Sequence, residues 1–322
     1  MPFRARRPIM FALVGDSGAG KSTLARGCAD ILGADRVTQI SLDDYHALDR
    51  AARTATGLTA LHPDSSHLAL MGQHARLLRN GETIFKPVYD HADGTFGRPQ
   101  FVRPGAIVLV NGLHGLFTPE LRSLWDVSVF LDPAPELRAA WKIKRDTATR
   151  GYDEAEVRQE LEARRRDAEA FITPQRERAD IVISFRPPAD HGRTNDDARL
   201  DVRIRIAHPI PLPDLDDLFA GETARFLRME RGTIGADVVE IDGGLSDAAT
   251  QVVEDRIWKH MPAARHLRSA RLGAFLDVGG ERRSNPLAVT QLLLTYYLVK
   301  ASALAEKQEQ LADGIATAAR AS

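Results

Sequence analysis

Residues 9–23 read IMFALVGDSGAGKST. The six apolar residues from Ile9 to Val14 have the form of a strand buried on both faces of a parallel sheet. The loop that follows, Gly15-Asp16-Ser17-Gly18-Ala19-Gly20-Lys21-Ser22-Thr23, fits G-x-x-x-x-G-K-[ST]. Beyond it TLARGCADILG carries apolar residues at helical spacing until Gly33 stops it. Strand, glycine loop and helix together are the setting in which that motif cradles phosphate. Glycines allow positive φ, so successive backbone N–H groups turn inward, and the helix start adds the positive end of its dipole. Lys21 supplies a point charge for the β- and γ-phosphates, and the Ser22 hydroxyl is a ligand for Mg²⁺. The stretch predicts binding of a nucleoside triphosphate.

Outward from the loop, further strands are expected at RVTQISL (36–42), within AIVLVNGLHGLF (106–117), at DVSVFLD (126–132) and at ADIVISF (179–185). Between them HLALMGQHARLLRNG (67–81), a segment from Pro133 to about RDTATRG, and DEAEVRQELEARRRDAEAF read as helices. Such alternation indicates a parallel sheet covered on both faces. RPPADHGRTNDDAR (186–199) is rich in proline and polar residues and reads as a connector. After it come strand candidates LDVRIRI, ARFLRM and DVVEID, an amphipathic segment DAATQVVEDRIWKHM, and an apolar helix near 286–299. That helix falls short of the ~20 apolar residues of a membrane span and is expected to be buried. The last fifteen residues, polar and alanine-rich, are expected to fray.

With 322 residues, 43% apolar and 27% charged, the composition excludes general disorder. A net charge of −1 gives no overall field toward nucleic acid or anionic lipid, so neither is an expected partner. The single cysteine, Cys28, excludes an intrachain disulfide and a cysteine metal cluster and is expected to be a small core residue. MPFRARRPIM is basic, but the apolar stretch behind it is too short for a signal sequence, and a cytoplasmic location is expected.

A phosphoryl-transfer enzyme needs a base at the acceptor hydroxyl and cations around the transferred group. LDDYHALDR places Asp43, Asp44, His46 and Arg50 at the carboxyl end of the second strand, the rim where open α/β sheets bind ligands. Adjacent strand carboxylates point to opposite faces, so one of the pair is a candidate base or Mg²⁺ contact and the other a cap. Arg145, Asp146 and Arg150 lie near a helix end in KIKRDTATRG, with Arg164, Arg165 and Arg166 in the next charged segment. Arginines there can fold over a triphosphate or clamp a second phosphate, whereas Arg165 and Arg166 read as a solvated face.

The run GDSGAGKST, ISLDDYHALDR, KPVYDH, VNGLHGLF, WKIKRDTATRGY and ARRRDAEAFITPQ resembles phosphoribulokinase in order and spacing, nearest to the plant and cyanobacterial type, over residues 8–185. The resemblance implies a P-loop kinase-type α/β fold with a C-terminal α+β extension of the sheet; with the change in composition, the expected division is a core at 1–188, a linker at 189–199 and the extension at 200–322, either separate or packed as part of the same domain. It implies ATP and D-ribulose 5-phosphate as substrates, Mg²⁺ as cofactor and a homodimer. Asp43 matches the catalytic base. His46 and Arg50 match residues that hold the sugar phosphate, Arg145 and Asp146 an active-site pair, Arg150 and Arg164 basic residues near the phosphates, and Tyr89 and His91 a substrate-side loop.

The chain departs from the pattern in three places. Asn111 stands where the family usually has a metal-holding glutamate, so the metal role is expected to pass to Ser22 and Asp43, with Asp44 or Asp146 as alternatives. Thr54 replaces a lysine, with Arg53 one position earlier as the expected substitute. Ala19 and Ser41 stand at the two redox-switching cysteines of the plant enzymes, which removes that switch. Three other readings fit. Uridine kinase is disfavoured, because HADGTFG follows Tyr89-Asp90 where a His-x-Arg element grips the nucleoside. A kinase with another small acceptor, and a nucleotide-binding regulator without turnover, are the others.

Overall fold

A computed structural model of the protein describes residues 7–188, 196–207, 215–232, 235–269, 271–277 and 279–321. The opening apolar run forms β1 (Ile9–Gly15), every residue of it buried. The helix after the glycine loop is α1 (Lys21–Leu32), followed by β2 (Val37–Ser41), α2 (Arg50–Thr56) and α3 (Leu68–Arg79). A small hairpin, β3 (Ile84–Lys86) and β4 (Gln100–Val102), stands apart from the main sheet. Then come β5 (Ile107–Gly112), α4 (Pro119–Leu124), β6 (Val127–Leu131), α5 (Pro135–Arg150), α6 (Glu154–Ala163), the single turn α7 (Arg165–Asp167) and β7 (Ile181–Arg186). The remainder holds β8 (Asp201–Ala207), β9 (Leu227–Glu230), β10 (Ala236–Ile241), α8 (Asp247–Lys259), the hairpin β11 (Ala274–Asp277) and β12 (Gly280–Arg283), and α9 (Asn285–Ala321).

Eight strands form one mixed sheet in the order β2-β5-β1-β6-β7-β8-β10-β9. The first five are parallel; β8 turns back antiparallel on β7, with Phe185 opposite Val202, and β10 and β9 continue antiparallel. The change is legible in the residues. β1, covered on both faces, is uniformly apolar, whereas β8 alternates, with Val202, Ile204 and Ile206 buried and the arginines between them half-exposed. Along β1 the period of two divides the core. Ile9, Phe11 and Leu13 join α1, α8 and α9 on one face, while Met10, Ala12 and Val14 join α3 and α4 on the other.

The apolar helix near 286–299 is a core helix, as expected. Asn285–Lys307 is long and apolar enough to cross a membrane, with mean hydropathy 1.4 over its most apolar window, yet 78% of that window is buried inside the fold. It comes so close to α1 that a Cβ on Gly27 would lie 2.0 Å from the Gln291 amide nitrogen. Cys28, beside it, is a core residue whose thiol is pushed up to about 12 by burial.

One expectation is corrected. The charged stretch 153–171 is not one helix: it passes from α6 and α7 through a π-helical turn at Ala168–Ile172 into a 3-10 stretch at Thr173–Arg178. Pro174 removes a donor and disfavours helix before it. Gln175, fully buried, then ties this segment to the loop after β5, accepting from Leu116 N at 2.9 Å and donating to Leu113 O at 2.8 Å. α9 runs on to Ala321, in keeping with the helix preference of alanine, glutamate and glutamine. Residues 189–195 of the expected linker lie outside the described residues, and 197–199 form a 3-10 turn.

Leu292, with no exposed surface, is expected to lose about 2–5 kcal/mol of stability on truncation to alanine. Leu304, 53% exposed on the same helix, is expected to lose no more than about 0.5 kcal/mol. Urea unfolding of Leu292→Ala and Leu304→Ala checks this; equal midpoints would contradict the packing of α9 in the core.

Candidate active site

The glycine loop lies between β1 and α1 at the carboxyl edge of the sheet. Its sharpest constraint is Gly15, where a Cβ would stand 2.7 Å from Leu131 O on the neighbouring strand. Gly20, at φ 90°, starts α1 in the left-handed region. Ser17 to Thr23 line a cleft of about 1270 Å³. Gly15 and Asp16 sit behind it, and their carbonyls each accept from Lys21 Nζ at 2.8 Å. Burial lowers the Lys21 pKa, against the pull of Asp43 and Asp16. A desolvated ammonium held at the loop is suited to phosphate oxygens, whose negative charge offsets what burial takes from it.

One face of α5 leans on the loop. Arg138 pairs with Asp16 at 2.8 Å, and Arg145 Nη2 reaches Ser17 Oγ at 3.4 Å. Asp146, with no exposed surface, accepts from Arg145 Nε at 2.8 Å and from Lys142 Nζ at 2.6 Å. Burial would raise its carboxyl, but Arg145 and Lys142 outweigh that and hold it below the usual range. Lys142 also reaches Glu160 at 2.9 Å, and Glu160 pairs with Arg164 on the cleft wall. Asp146 thus fixes the guanidinium of Arg145. Arg150 is the last residue of α5, and its side chain lies outside the described residues.

On the other side of the loop, the two adjacent aspartates part company in a 3-10 turn, Leu42–Tyr45, that Ser41 caps through its hydroxyl. Asp43 faces the cleft, with His91 Nε2 3.8 Å from its carboxylate. Asp44 turns inward, accepting from Lys86 Nζ at 2.5 Å and from Tyr89 N at 3.0 Å. This buried pair fastens the turn to the loop that carries Tyr89 and His91. Arg53 donates to Tyr89 Oη at 2.7 Å and lies over its ring, and Arg50 donates to His91 O at 2.6 Å. Thr54 also lines the cleft but spends its hydroxyl on Arg50 O.

His46 packs edge-on against Tyr89 with 4.7 Å between ring centroids, and its Nδ1 has no hydrogen-bond partner. Burial, with Arg53 and His91 adding to it, lowers its pKa to about 4 against the opposing pull of Asp43. His114 is 1% exposed, neither ring nitrogen has a partner, and burial likewise lowers it to about 4. Both rings are neutral at pH 7. Asn111, paired in register with Ser41 on β2 and Leu13 on β1, looks into the same cleft.

Sequence reading brought the loop, Asp43, His46, Arg50, Arg53, Tyr89, His91, Arg145, Asp146 and Arg164 to this region, and the structure gathers them around one cleft or against its wall. It did not single out Arg138, Lys142, Lys86, Glu160 or His114. Arg138, Lys142 and Arg145 stand at i, i+4 and i+7, one helix stripe, which is the signal that would have found them. The pairing of Lys86 with Asp44 spans 42 residues and has no local signature.

Ser22, Asp43 and Asn111 all line the cleft and could each offer an oxygen to a cation. Among the described residues no group of three or more His, Cys, Asp or Glu side chains could hold a metal ion. This sparse oxygen set suits Mg²⁺, which takes one or two carboxylates and completes its shell with phosphates and water.

A model of the phosphoribulokinase / uridine kinase family matches residues 10–191. The chain is 41% identical over 181 residues to phosphoribulokinase of Synechocystis sp., a match covering 56% of this chain and 54% of that protein. To chloroplastic phosphoribulokinase of Arabidopsis thaliana it is 36% identical over 217 residues, covering 62% and 55%. The chain therefore spans about half the length of these curated relatives. To uridine kinase of Deinococcus deserti it is 31% identical over 207 residues, covering 62% of this chain and 96% of that one. The structure of phosphoribulokinase from Rhodobacter spheroides shares the fold with a TM-score of 0.57 at 20% identity, covering 81% of this chain and 99% of that one. Because the family match takes in nearly all of the sheet from β1 to β7 and both sides of the glycine loop, the chain belongs to the phosphoribulokinase / uridine kinase family.

Proposed function

We propose that the protein transfers the γ-phosphate of ATP to a hydroxyl of D-ribulose 5-phosphate. The observation that carries this is the placement of Asp43 on the cleft, close enough to Lys21 for the two charges to act on each other, with His46, Arg50, Arg53 and Tyr89 gathered beside it. In this reading the Asp43 carboxylate takes the proton of the sugar hydroxyl as its oxygen attacks the γ-phosphorus. The bond to the bridging oxygen breaks and ADP leaves. Lys21 and the loop amides stabilise the charge on the transferred group and the leaving oxygen, and Arg145 adds a guanidinium from α5. His46 acts as a neutral hydrogen-bonding group toward the sugar, because its buried ring does not carry charge near neutrality. Mg²⁺ would be held by Ser22 and Asp43 with the phosphates, Asn111 contributing a neutral oxygen, and when bound it neutralises phosphate charge. A cytoplasmic homodimer belongs to the proposal through the resemblance to phosphoribulokinases; a one-chain mass in light scattering would remove the dimer.

A kinase of the same chemistry with another small acceptor is the second reading. It is favoured by Thr54, whose hydroxyl is turned to Arg50 O where the family places a lysine. ADP release with Mg-ATP and a panel of ribulose 5-phosphate, ribose 5-phosphate, uridine and cytidine decides between them. Turnover is expected with ribulose 5-phosphate. Turnover with a nucleoside alone overturns the first reading, and ATP binding with no turnover on any acceptor indicates a regulator.

Asp43→Asn is expected to lower kcat about 10²- to 10⁴-fold while ATP affinity stays within about twofold. Turnover within tenfold of wild type would remove Asp43 as the base.

The two buried histidines set a pH dependence. Their folded-state pKa values, about 4, lie below the ordinary 6.5, so the unfolded chain takes up protons first as pH falls. Their neutral burial stabilises fully above about pH 6.5, and that stability declines toward pH 4 by up to about 1.4 kcal/mol per pH unit for each ring. Urea unfolding at stepped pH is expected to show a shallower decline in His46→Gln and in His114→Gln than in wild type; parallel curves would contradict the assigned burial.

A further inference from the structure

The cleft has a second lobe that the transfer chemistry leaves unused. The strand order fixes where it lies. Asp43 follows β2, two strands to one side of β1, while Phe185 near the end of β7 and Leu200 before β8 lie on the other side. From the loop at β1 to β7 is two inter-strand steps, about 10 Å. With the terminal phosphates on the loop and the acceptor toward β2, the rest of a nucleotide must run toward β7.

The walls there are apolar and come largely from the last third of the chain. Trp141 on α5 lies against the loop, its ring 3.6 Å from where a Cβ on Gly20 would stand, and packs edge-on to Phe185 at 6.1 Å between centroids. Phe275 on β11 and Leu287 at the start of α9 line the same cleft. Leu276, next to Phe275 on the strand, points to the other face of the hairpin and is 64% exposed.

Ion pairs hold this hairpin in place. Lys144, from the helix that carries Arg145, pairs with Asp277 and reaches Asp197 at 3.4 Å. Arg282 pairs with Asp277 at 2.9 Å and Asp196 at 2.6 Å, and its guanidinium lies 5.8 Å from the Phe275 ring centre. The aromatic wall is therefore tied to the same helix that touches the phosphate loop.

We infer that the β11–β12 hairpin closes the nucleobase site, with Phe275 on one side of the purine and Trp141 and Phe185 on the other. The inference rests on the nucleotide reading of the loop and extends it. A flat ring system buried between aromatic and aliphatic side chains is the ligand such a slot fits. Base affinity is then set by residues beyond the matched family segment, which ends at 191.

Calorimetric titration of the full chain with Mg-ATP and with inorganic tripolyphosphate separates the two claims. Tripolyphosphate engages the loop alone, whereas ATP also uses the base site. Wild type is expected to bind both, ATP more tightly. Phe275→Ala is expected to weaken ATP about tenfold, and Leu276→Ser, on the other face of the hairpin, to leave it within about twofold, with tripolyphosphate held within about twofold in both. ATP affinity unchanged in Phe275→Ala overturns the base site, and so does a loss of tripolyphosphate in parallel with ATP. Wild type that binds neither ligand overturns the loop reading itself, and the hairpin assignment with it.

Discussion

The whole site depends on a steric constraint at the end of one strand. β1 is buried on both faces at the centre of the sheet, and at Gly15 its backbone passes so close to Leu131 O that no side chain fits. That contact lets the chain leave the sheet in a tight loop and return as α1, with its amides turned toward the cleft. A larger residue at Gly15 would have to push β1 away from β6, and every group placed by the sheet edge would move with it. The loop's position is thus inherited from the core, whose packed interior does not deform gradually.

Around this rigid point, charge is arranged in fixed pairs. The chain as a whole carries only −1, yet the cleft gathers Lys21, Arg50, Arg53, Arg145 and Arg164. Such a concentration is tolerable because carboxylates at the wall fix two of these cations: Asp146 holds Arg145 and Glu160 holds Arg164. The same division appears in the adjacent aspartates. Asp44 is committed to Lys86 and the Tyr89 amide, which leaves Asp43 as the carboxylate of the pair on the cleft. Pairing buried charges contributes little net stability, but breaking one leaves its partner stranded, so these pairs act mainly to hold geometry.

What the sequence made legible follows the range of the interactions. β1, the loop and α1 are adjacent in the chain and could be read together, as could the strand alternation and the buried helix near 286–299. The separation of Asp43 from Asp44 was foreseeable from their adjacency, although the cause is a capped 3-10 turn and not strand pleating. The break at Ala168–Ile172 was not legible, because the charged pattern of 153–171 continues smoothly while Pro174 and the buried Gln175 impose another path. Lys86 with Asp44 and Lys144 with Asp277 join segments 42 and 133 residues apart, and no local pattern announces either pair.

The C-terminal third is bound to the core by the same logic. Ala25, Cys28 and Ile31 make α1 apolar on the side away from the loop, and that face is covered by residues of α9 in one continuous core with β1. Gly27 on α1 leaves room that the Gln291 side chain of α9 fills. The helix start that presents Lys21 and Ser22 therefore takes its orientation from residues some 260 positions later as much as from β1. A segment cut after β7 would keep the motif and lose the support that aims it.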